Sequence, residues 1–178
     1  MAELIQHTYE SPLGELIALF SPRGLRLLEF TGQAGLDREV AQVVAAAGAP
    51  AVEGVSPWTE LLGSELAEYF AGQRQTFSVP LDLLGTDFQL RVWNALLQIP
   101  YGETWSYGQQ ARHLGQPTAS RAVAAANGQN KVSIIVPCHR VIGSSGQLTG
   151  YGGGLPRKQF LLELERSDAT GGQRRAFP

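Results

Sequence analysis

The reactive chemistry of this sequence centres on one cysteine. Cys138 is the only cysteine among 178 residues, and it lies in the run VSIIVPCHRVIG directly before His139. A thiolate is the reactive form of cysteine, and a neighbouring imidazole or imidazolium lowers the free energy needed to form it. The pair therefore favours nucleophilic chemistry at sulfur. The alternative is that Cys138 is an inert buried apolar residue, as most free cysteines are, and the following His139-Arg140 favours the reactive interpretation only slightly.

The single cysteine also limits the metal chemistry and the compartment of the protein. It excludes an internal disulfide framework and any zinc site built from several thiolates of this chain. The N-terminal residues MAELIQHTYE contain no basic segment, and no apolar run approaches the roughly 20 residues that cross a bilayer. We therefore expect a soluble protein of the cytoplasm that does not associate with membranes.

An apolar segment precedes Cys138, and a glycine-rich segment follows it. Ile134, Ile135 and Val136 are β-branched, so we expect a short buried strand that Pro137 ends. Further along, GYGGGLP can wrap closely around a flat ligand, because glycine admits positive φ and exposes backbone N–H groups. Neither the phosphate-loop spacing nor a dinucleotide-binding G-x-G-x-x-G after a strand is present.

The net charge of -2 conceals opposite balances in the two halves of the chain. Residues 1–85 carry four basic and eleven acidic side chains, a net charge of -7, whereas residues 86–178 carry ten basic and five acidic side chains, a net charge of +5. A basic half suggests a polyanionic partner. The signal is weak by itself, because two of the arginines, Arg174 and Arg175, lie in the tail.

Length and composition predict two small folded domains. Hydrophobic residues make up 43% of the chain and charged residues 17%, which excludes a disordered protein. In the first half, short β-compatible runs over 4–30 predict an antiparallel meander, and apolar spacing predicts a helix over 36–47 and another after Pro57. Residues 77–84 resemble an extended linker.

The second half has the outline of a helix-turn-helix. A helix capped by Thr86 or Asp87 comes first, and a short strand or turn over 104–107 leads into the helix YGQQARHLG, capped by Ser106. After a glycine break, Thr118 is the expected cap of the helix ASRAVAAAN.

The helix ASRAVAAAN carries alanines and one long cation, Arg121. Small side chains let a helix backbone approach another surface closely, while the arginine projects beyond that surface. This composition is compatible with DNA binding. The alternative, an alanine-rich helix buried against its neighbours, is the more common arrangement.

A specific motif surrounds the cysteine. P-C-H-R-V at Pro137–Val141 is preceded by N-G-Q-N-K-V-S and followed by G-Y-G-G-G-L-P-R-K and L-L-E-L-E. With these motifs the sequence closely resembles the O6-alkylguanine-DNA alkyltransferases, also called methylated-DNA–protein-cysteine methyltransferases. The resemblance covers residues 86–166, while the first half is similar to the family's variable N-terminal domain in layout only.

The resemblance implies an α+β fold of two small domains. The N-terminal domain, 1–85 with the linker, would hold an antiparallel sheet with helices and be ribonuclease-H-like. The C-terminal domain, 86–166, would be a mostly helical winged helix-turn-helix that carries the reactive cysteine. A flexible tail is expected over 167–178.

The resemblance also implies DNA repair by direct alkyl transfer. The alkyl group would move from O6 of guanine, and from O4 of thymine, in double-stranded DNA to Cys138, once per protein molecule and with no metal or cofactor. His139, acting through a water and backed by Glu165, would draw off the thiol proton. Tyr107 matches the tyrosine that helps rotate the nucleotide and donates a proton or hydrogen bond to the leaving guanine.

Further matched positions concern DNA and the base pocket. Arg121 matches the arginine that enters the base stack in place of the flipped nucleotide. The helix face expected in the minor groove adds Ala122, Ala125 and Ala126. Asn130 matches the residue that braces the turn before the cysteine, and the expected substrate pocket consists of Asn130, Val141, Tyr151 and Gly152. Several copies of the protein could also contact one another on DNA.

Three other functions remain open from the residues. A cysteine hydrolase would use Cys138 and His139, but no further residue marks an oxyanion site. A damage-binding module that flips bases without repairing them would not need Cys138. A transcription regulator would use the helix-turn-helix, although zinc-ligating cysteines of a metal-switched regulator are lacking.

Overall fold

The structure, a computed structural model, describes residues 3–169. The chain forms two compact units that divide between Leu84 and Gly85. The first contains a sheet with helices and the second is mostly helical, so the α+β fold implied by the resemblance is confirmed. No helix among the described residues is long and apolar enough to cross a membrane.

The first unit is built on a four-stranded sheet with two helices. Its elements are β1 (Leu4–Tyr9), β2 (Leu16–Ser21), β3 (Gly24–Phe30), α1 (Leu36–Ala47), β4 (Ala51–Glu53) and α2 (Thr59–Phe70). In the strand order β3-β2-β1-β4, the first three strands form the predicted antiparallel meander, and β4 pairs parallel to β1. Buried side chains of the sheet and of α1 form a common core: Leu4, Leu19, Leu27 and Val43.

The predicted linker over 77–84 is part of the first unit. Its Leu81 forms a parallel bridge with Leu25 of β3, and the backbone N–H of Leu25 donates to the carbonyl of Pro80 at 2.8 Å. The carboxylate of Glu65, fully buried on α2, accepts hydrogen bonds from the hydroxyl and backbone N–H of Ser78. These contacts fix the segment against the sheet and α2, so it does not act as a free linker.

The second unit holds the helix-turn-helix and the cysteine. Its elements are α3 (Asp87–Leu96), β5 (Trp105–Ser106), α4 (Tyr107–His113), α5 (Ser120–Gly128), a 3-10 helix (Cys138–Arg140), β6 (Val141–Ile142) and α6 (Leu155–Ala169). Thr86 and Ser106 cap α3 and α4 with reciprocal capping boxes, as the sequence predicts. β5 and β6 form a short parallel ladder beside these helices.

Three expectations for this unit were wrong in detail. α5 begins at Ser120 with Ala119 at its N-cap and no side-chain cap, so Thr118 does not cap it. Residues 134–136 are buried as predicted but form a turn, not a strand. α6 continues to Ala169, so the expected tail begins within a helix and its remainder, 170–178, lies outside the described residues.

Candidate active site around Cys138

Cys138 lies on the wall of a cavity in the second unit. It is the first residue of the 3-10 helix and is half-buried, and the cavity beside it has a volume of about 520 Å³. Tyr107 from the start of α4, Ala124 from α5 and the loop residues Tyr151 and Gly152 line the same cavity. A flat group of nucleobase size can therefore approach the sulfur from this side.

Asn130 holds the turn that leads to the cysteine. Its Nδ2 donates to the carbonyl of Val136 at 2.9 Å and lies 3.3 Å from Sγ of Cys138, while its Oδ1 accepts from the backbone N–H of Val132 at 3.0 Å. A hydrogen bond donated to sulfur favours the thiolate over the thiol. Asn130 is buried behind the sulfur and is not among the residues that line the cavity, where the sequence had placed it.

The turn that Asn130 spans contains a strained residue. Ile134 has a φ of 73°, and its side chain is only 1% exposed. A β-branched residue rarely adopts this left-handed conformation, because its side chain crowds the backbone. The hydrogen bonds of Asn130 on both sides of Ile134 help to hold the turn in this shape.

His139 and Glu165 form a buried pair next to the cysteine. Nε2 of His139 lies 2.7 Å from Oε2 of Glu165, and Nε and Nη2 of Arg140 donate to the two oxygens of the same carboxylate at 2.7 and 3.1 Å. Burial by itself would raise the pKa of Glu165, but the charge of His139 in its imidazolium form, the charge of Arg140 and the hydrogen bonds of both side chains lower it to about 2. Glu165 is therefore ionised at neutral pH.

The ionised carboxylate fixes the tautomer of His139. A carboxylate can only accept a hydrogen bond, so Nε2 of His139 must carry the proton that lies between the two groups. In the neutral imidazole, Nδ1 is then the unprotonated nitrogen with a free lone pair. Nδ1 is buried and has no hydrogen-bond partner in the described part of the chain, so it is available as a base.

Arg140 connects this pair to the segment that follows α3. Its Nη1 donates to the carbonyl of Ile99 at 2.8 Å, and its guanidinium lies 5.6 Å from the centre of the Tyr101 ring. The guanidinium thus neutralises Glu165 and at the same time satisfies a buried carbonyl. The sequence drew attention to Arg140 only as the neighbour of His139.

Lys158 supports the glycine-rich loop from behind. It is fully buried on α6, and its Nζ donates to the carbonyls of Val141 and Thr149 at 2.6 Å each. Burial lowers the pKa of Lys158 to about 8, although the nearby Cys138 thiolate opposes this shift. Lys158 is part of the G-Y-G-G-G-L-P-R-K motif, but the sequence analysis assigned it no role. The sequence signal that could have identified Lys158 is a lysine at an apolar position of α6.

The structure places Val141 differently from the expected pocket wall. Val141 is fully buried in β6, where it pairs with Trp105 of β5, and it is not among the residues that line the cavity. Its carbonyl, rather than its side chain, contributes to the site by accepting from Lys158. Tyr151 and Gly152 do line the cavity.

The exposed face of α5 is smaller than the sequence suggested. Arg121, Ala122 and Ala125 are exposed, whereas Ala126 is only 4% exposed and its carbonyl accepts a hydrogen bond from the indole of Trp93 at 2.9 Å. Ala126 therefore packs against α3 and cannot belong to a surface that meets a partner. α5 is therefore only partly buried, and only some of its alanines are exposed to solvent.

A buried amide pair joins α4 and α5. Nε2 of Gln110 donates to Oδ1 of Asn127 at 2.9 Å, and Nδ2 of Asn127 donates to Oε1 of Gln110 at 2.7 Å. Because each amide satisfies the other, the pair costs little to bury and fixes the two helices in register. Asn127 also lines the cavity. No sequence signal distinguished these two amides from surface residues.

Comparison with known proteins identifies the family of this chain. The model of the 6-O-methylguanine DNA methyltransferase DNA-binding domain matches residues 87–167, and that of the ribonuclease-like domain of the same family matches residues 4–83. The chain belongs to the 6-O-methylguanine DNA methyltransferase family. The resemblance stated from the sequence is thus confirmed over both units.

Two relatives that match this chain are named methylated-DNA–protein-cysteine methyltransferase. A methylated-DNA–protein-cysteine methyltransferase of Mycobacterium tuberculosis is 66% identical over 105 residues, which are 59% of this chain and 64% of that protein. The match therefore spans less than two thirds of the mycobacterial relative. A methylated-DNA–protein-cysteine methyltransferase of Methanosarcina acetivorans is 43% identical over 165 residues, 89% of this chain and 96% of its own length.

Solved structures of the family have the same fold. The crystal structure of Mycobacterium tuberculosis OGT in complex with DNA superimposes with a TM-score of 0.79 at 47% identity, covering 92% of this chain and 94% of that one. The O6-methylguanine-DNA methyltransferase of Pyrococcus kodakaraensis superimposes with a TM-score of 0.61 at 25% identity, covering 91% and 98%.

Proposed function

We propose that this protein repairs DNA by transferring an alkyl group from O6 of guanine to its own Cys138. The observation that carries the proposal is the half-buried sulfur on the wall of a cavity of about 520 Å³, with His139 and the buried carboxylate of Glu165 beside it. The relatives named methylated-DNA–protein-cysteine methyltransferase support this activity.

The first step of the proposed reaction is loss of the thiol proton. Nδ1 of His139 accepts it, through a water, and the imidazolium that results is stabilised by Glu165 at 2.7 Å. The hydrogen bond from Asn130 stabilises the thiolate that remains. Arg140 keeps Glu165 ionised and in position throughout, because it donates to both carboxylate oxygens.

The second step is an in-line displacement at carbon. A lone pair of the Cys138 sulfur forms the C–S bond while the bond between that carbon and O6 breaks, and its electron pair passes to the purine. Tyr107, on the cavity wall, donates a hydrogen bond or proton to the leaving guanine and so offsets the charge that develops on it. The products are guanine in DNA and a thioether at Cys138.

Access to the substrate requires nucleotide flipping. O6 of guanine lies within the duplex, so the nucleotide must rotate out at a cost of a few kcal/mol, which is least for a damaged base. We propose that the exposed face of α5, with Ala122 and Ala125, lies in the minor groove and that Arg121 fills the space in the base stack. The DNA complex of the mycobacterial OGT supports DNA as the partner.

The same proposal includes finer points. The thioether has no leaving group that a residue of the site could regenerate, so each molecule acts once. O4-alkylthymine in DNA is the proposed second substrate. The proposed compartment is the cytoplasm, because the reaction needs a reduced thiol. Several copies of the protein are proposed to contact one another when they bind the same DNA.

One experiment tests the activity and the single turnover together. The protein is incubated with a duplex that contains one O6-methylguanine, at rising molar excess of DNA, and is then digested and weighed. We expect the mass of one methyl group on the peptide with Cys138, and no more than one repaired guanine per protein molecule. A protein that gains no methyl group, or repairs several guanines per molecule, refutes the proposal, and an acyl adduct with ester substrates would favour a cysteine hydrolase.

A further inference from the structure

Tyr107 has a specific partner across the cavity that the reaction described above does not use. Oη of Tyr107 lies 3.1 Å from Oγ1 of Thr149 and 3.4 Å from the backbone oxygen of Thr149. The two residues are 42 positions apart, and both line the cavity beside Cys138. The contact is therefore a product of the fold at the reacting centre and not of local chain geometry.

The geometry of the contact allows Thr149 Oγ1 to donate and Tyr107 Oη to accept, because either oxygen of this hydroxyl pair can be the donor. The backbone oxygen of Thr149 already accepts from Lys158 at 2.6 Å, and 3.4 Å is longer than an ordinary O–H···O hydrogen bond. The hydroxyl pair at 3.1 Å is the closer of the two contacts. When Thr149 donates, the phenolic proton of Tyr107 stays free for another acceptor, and a hydrogen bond to the phenol oxygen makes that proton a better donor.

Thr149 is held firmly enough to fix its neighbour. The Nζ of Lys158, fully buried, joins the carbonyl of Thr149 to the carbonyl of Val141 in β6 at 2.6 Å each. These two hydrogen bonds restrain the backbone at Thr149, although the next residue in the loop is a glycine, Gly150. The hydroxyl of Thr149 is consequently presented at a set position on the cavity wall.

We propose that Thr149 is a positioning residue for alkyl transfer, whose hydroxyl donates a hydrogen bond to Tyr107 and directs the phenolic proton towards the base in the cavity. This inference rests on the proposed function, because the proton is needed only when the purine accepts the electron pair of the broken bond. Thr149 itself touches neither the sulfur nor the alkyl group in this scheme. Its effect passes entirely through Tyr107.

The kinetic test compares variants of both residues at saturating alkylated duplex in single-turnover experiments. Thr149→Val keeps the shape and removes the hydroxyl, and we expect it to slow transfer about fivefold, the effect of one ordinary hydrogen bond. Thr149→Ser keeps the hydroxyl and should stay within about twofold of the wild type. In a Tyr107→Phe background, Thr149→Val should cause no further loss.

Three results would overturn the inference. They are a Thr149→Val protein as fast as the wild type, a Thr149→Ser protein as slow as Thr149→Val, and an equal loss from Thr149→Val with and without the Tyr107 hydroxyl. Affinity for an unmodified duplex serves as the structural control and should be unchanged. Thr149→Ala replaces Thr149→Val in the same comparison if the valine variant does not fold.

A spectroscopic test separates this inference from the proposed function. The Cζ resonance of 13C-labelled Tyr107 reports hydrogen bonding at the phenol oxygen without any alkylated substrate. We expect this resonance to move in Thr149→Val and to stay in place in Thr149→Ser. An unmoved resonance in Thr149→Val overturns the contact even if alkyl transfer is normal, whereas a wild-type protein that moves no alkyl group refutes the proposed function instead.

Discussion

Nε2 of His139 lies 2.7 Å from Oε2 of Glu165, and both side chains are at most 1% exposed. The pair is therefore a charged site that the fold, rather than solvent, must stabilise. Arg140 supplies the compensating charge, and the three residues form one connected network, of which His139 directly follows Cys138 in the chain. Removal of one member leaves a buried charge or polar group without its partner. The stability of the folded protein should therefore depend on pH and on each of the three residues.

The protein is expected to lose stability in acid through Glu165. Because His139 and Arg140 lower the pKa of this carboxyl to about 2 from an ordinary value of 4.5, its contribution is complete above about pH 4.5 and is lost as the pH falls towards 2. At roughly 1.4 kcal/mol per pKa unit, the loss is on the order of 3 kcal/mol. Urea unfolding at pH 6 and pH 3 should show about 2 kcal/mol of this loss, because the rest is lost only between pH 3 and pH 2.

Two glutamine variants of α6 make this measurement specific. Glu165→Gln should be less stable at pH 6, because Arg140 loses its charged partner, and its free energy of unfolding should change less with pH than that of the wild type. Glu163→Gln, two residues earlier on α6, should keep the wild-type pH dependence. If Glu165→Gln and wild type lose the same free energy between the two pH values, the source of the acid sensitivity lies elsewhere.

Binding and chemistry should separate at Cys138. Its sulfur lies on the cavity wall, whereas the exposed residues of α5 are on a different element, so Cys138→Ser should abolish alkyl transfer and leave duplex affinity nearly unchanged. The measurements are single-turnover transfer and fluorescence anisotropy with the same labelled duplex. A Cys138→Ser protein that still removes the alkyl group would show that another residue is the nucleophile.

Arg121 should matter for duplex DNA and much less for a free base. It is exposed on α5 and is not among the residues that line the cavity, so Arg121→Ala should slow repair of a duplex by tenfold or more while reaction with free O6-benzylguanine changes by less than about twofold. Arg91→Ala, an exposed arginine on α3, is the matched control. If Arg121→Ala slows the reaction with both substrates equally, Arg121 has no role in nucleotide flipping.

Lys158 should make the protein more stable as the pH rises above neutrality. Burial lowers its pKa to about 8 from 10.5, so between these values the unfolded chain binds the extra proton and the free energy of unfolding increases with pH. Thermal unfolding at pH 7.5 and pH 9.5 should show this increase in the wild type. Lys158→Met should lack it, and should also be destabilised, because the carbonyls of Val141 and Thr149 lose their donor.

The sequence predicted those parts of the fold that local patterns determine. Thr86 and Ser106 cap their helices as expected, because a capping box needs only residues three positions apart. β4 was not predicted, since three residues after Pro50 carry no usable periodicity and the strand exists only because β1 offers an edge. Burial of residues 134–136 was predicted, and the resemblance implied a turn before the cysteine that Asn130 braces, but the β-branched run was expected to form a strand and instead belongs to that turn.

The same distinction applies to the site. Cys138 and His139 stood out because adjacent thiol and imidazole groups have a chemical meaning in any fold. Lys158 and Thr149 did not, since a lysine and a threonine acquire their roles only when the loop folds back onto α6. Ala126 was assigned to the exposed face because helical spacing alone does not tell which side of α5 packs against Trp93.

The left-handed backbone at Ile134 places two opposing demands on one position. Glycine would adopt a φ of 73° without strain but would leave the space of a fully buried side chain empty, whereas any larger apolar residue fills the space and keeps the strain. No amino acid at position 134 therefore both fills the buried space and adopts the left-handed backbone without strain. We expect a library at position 134 to yield few stable variants, so the turn before Cys138 should be among the parts of the described chain that tolerate the fewest substitutions.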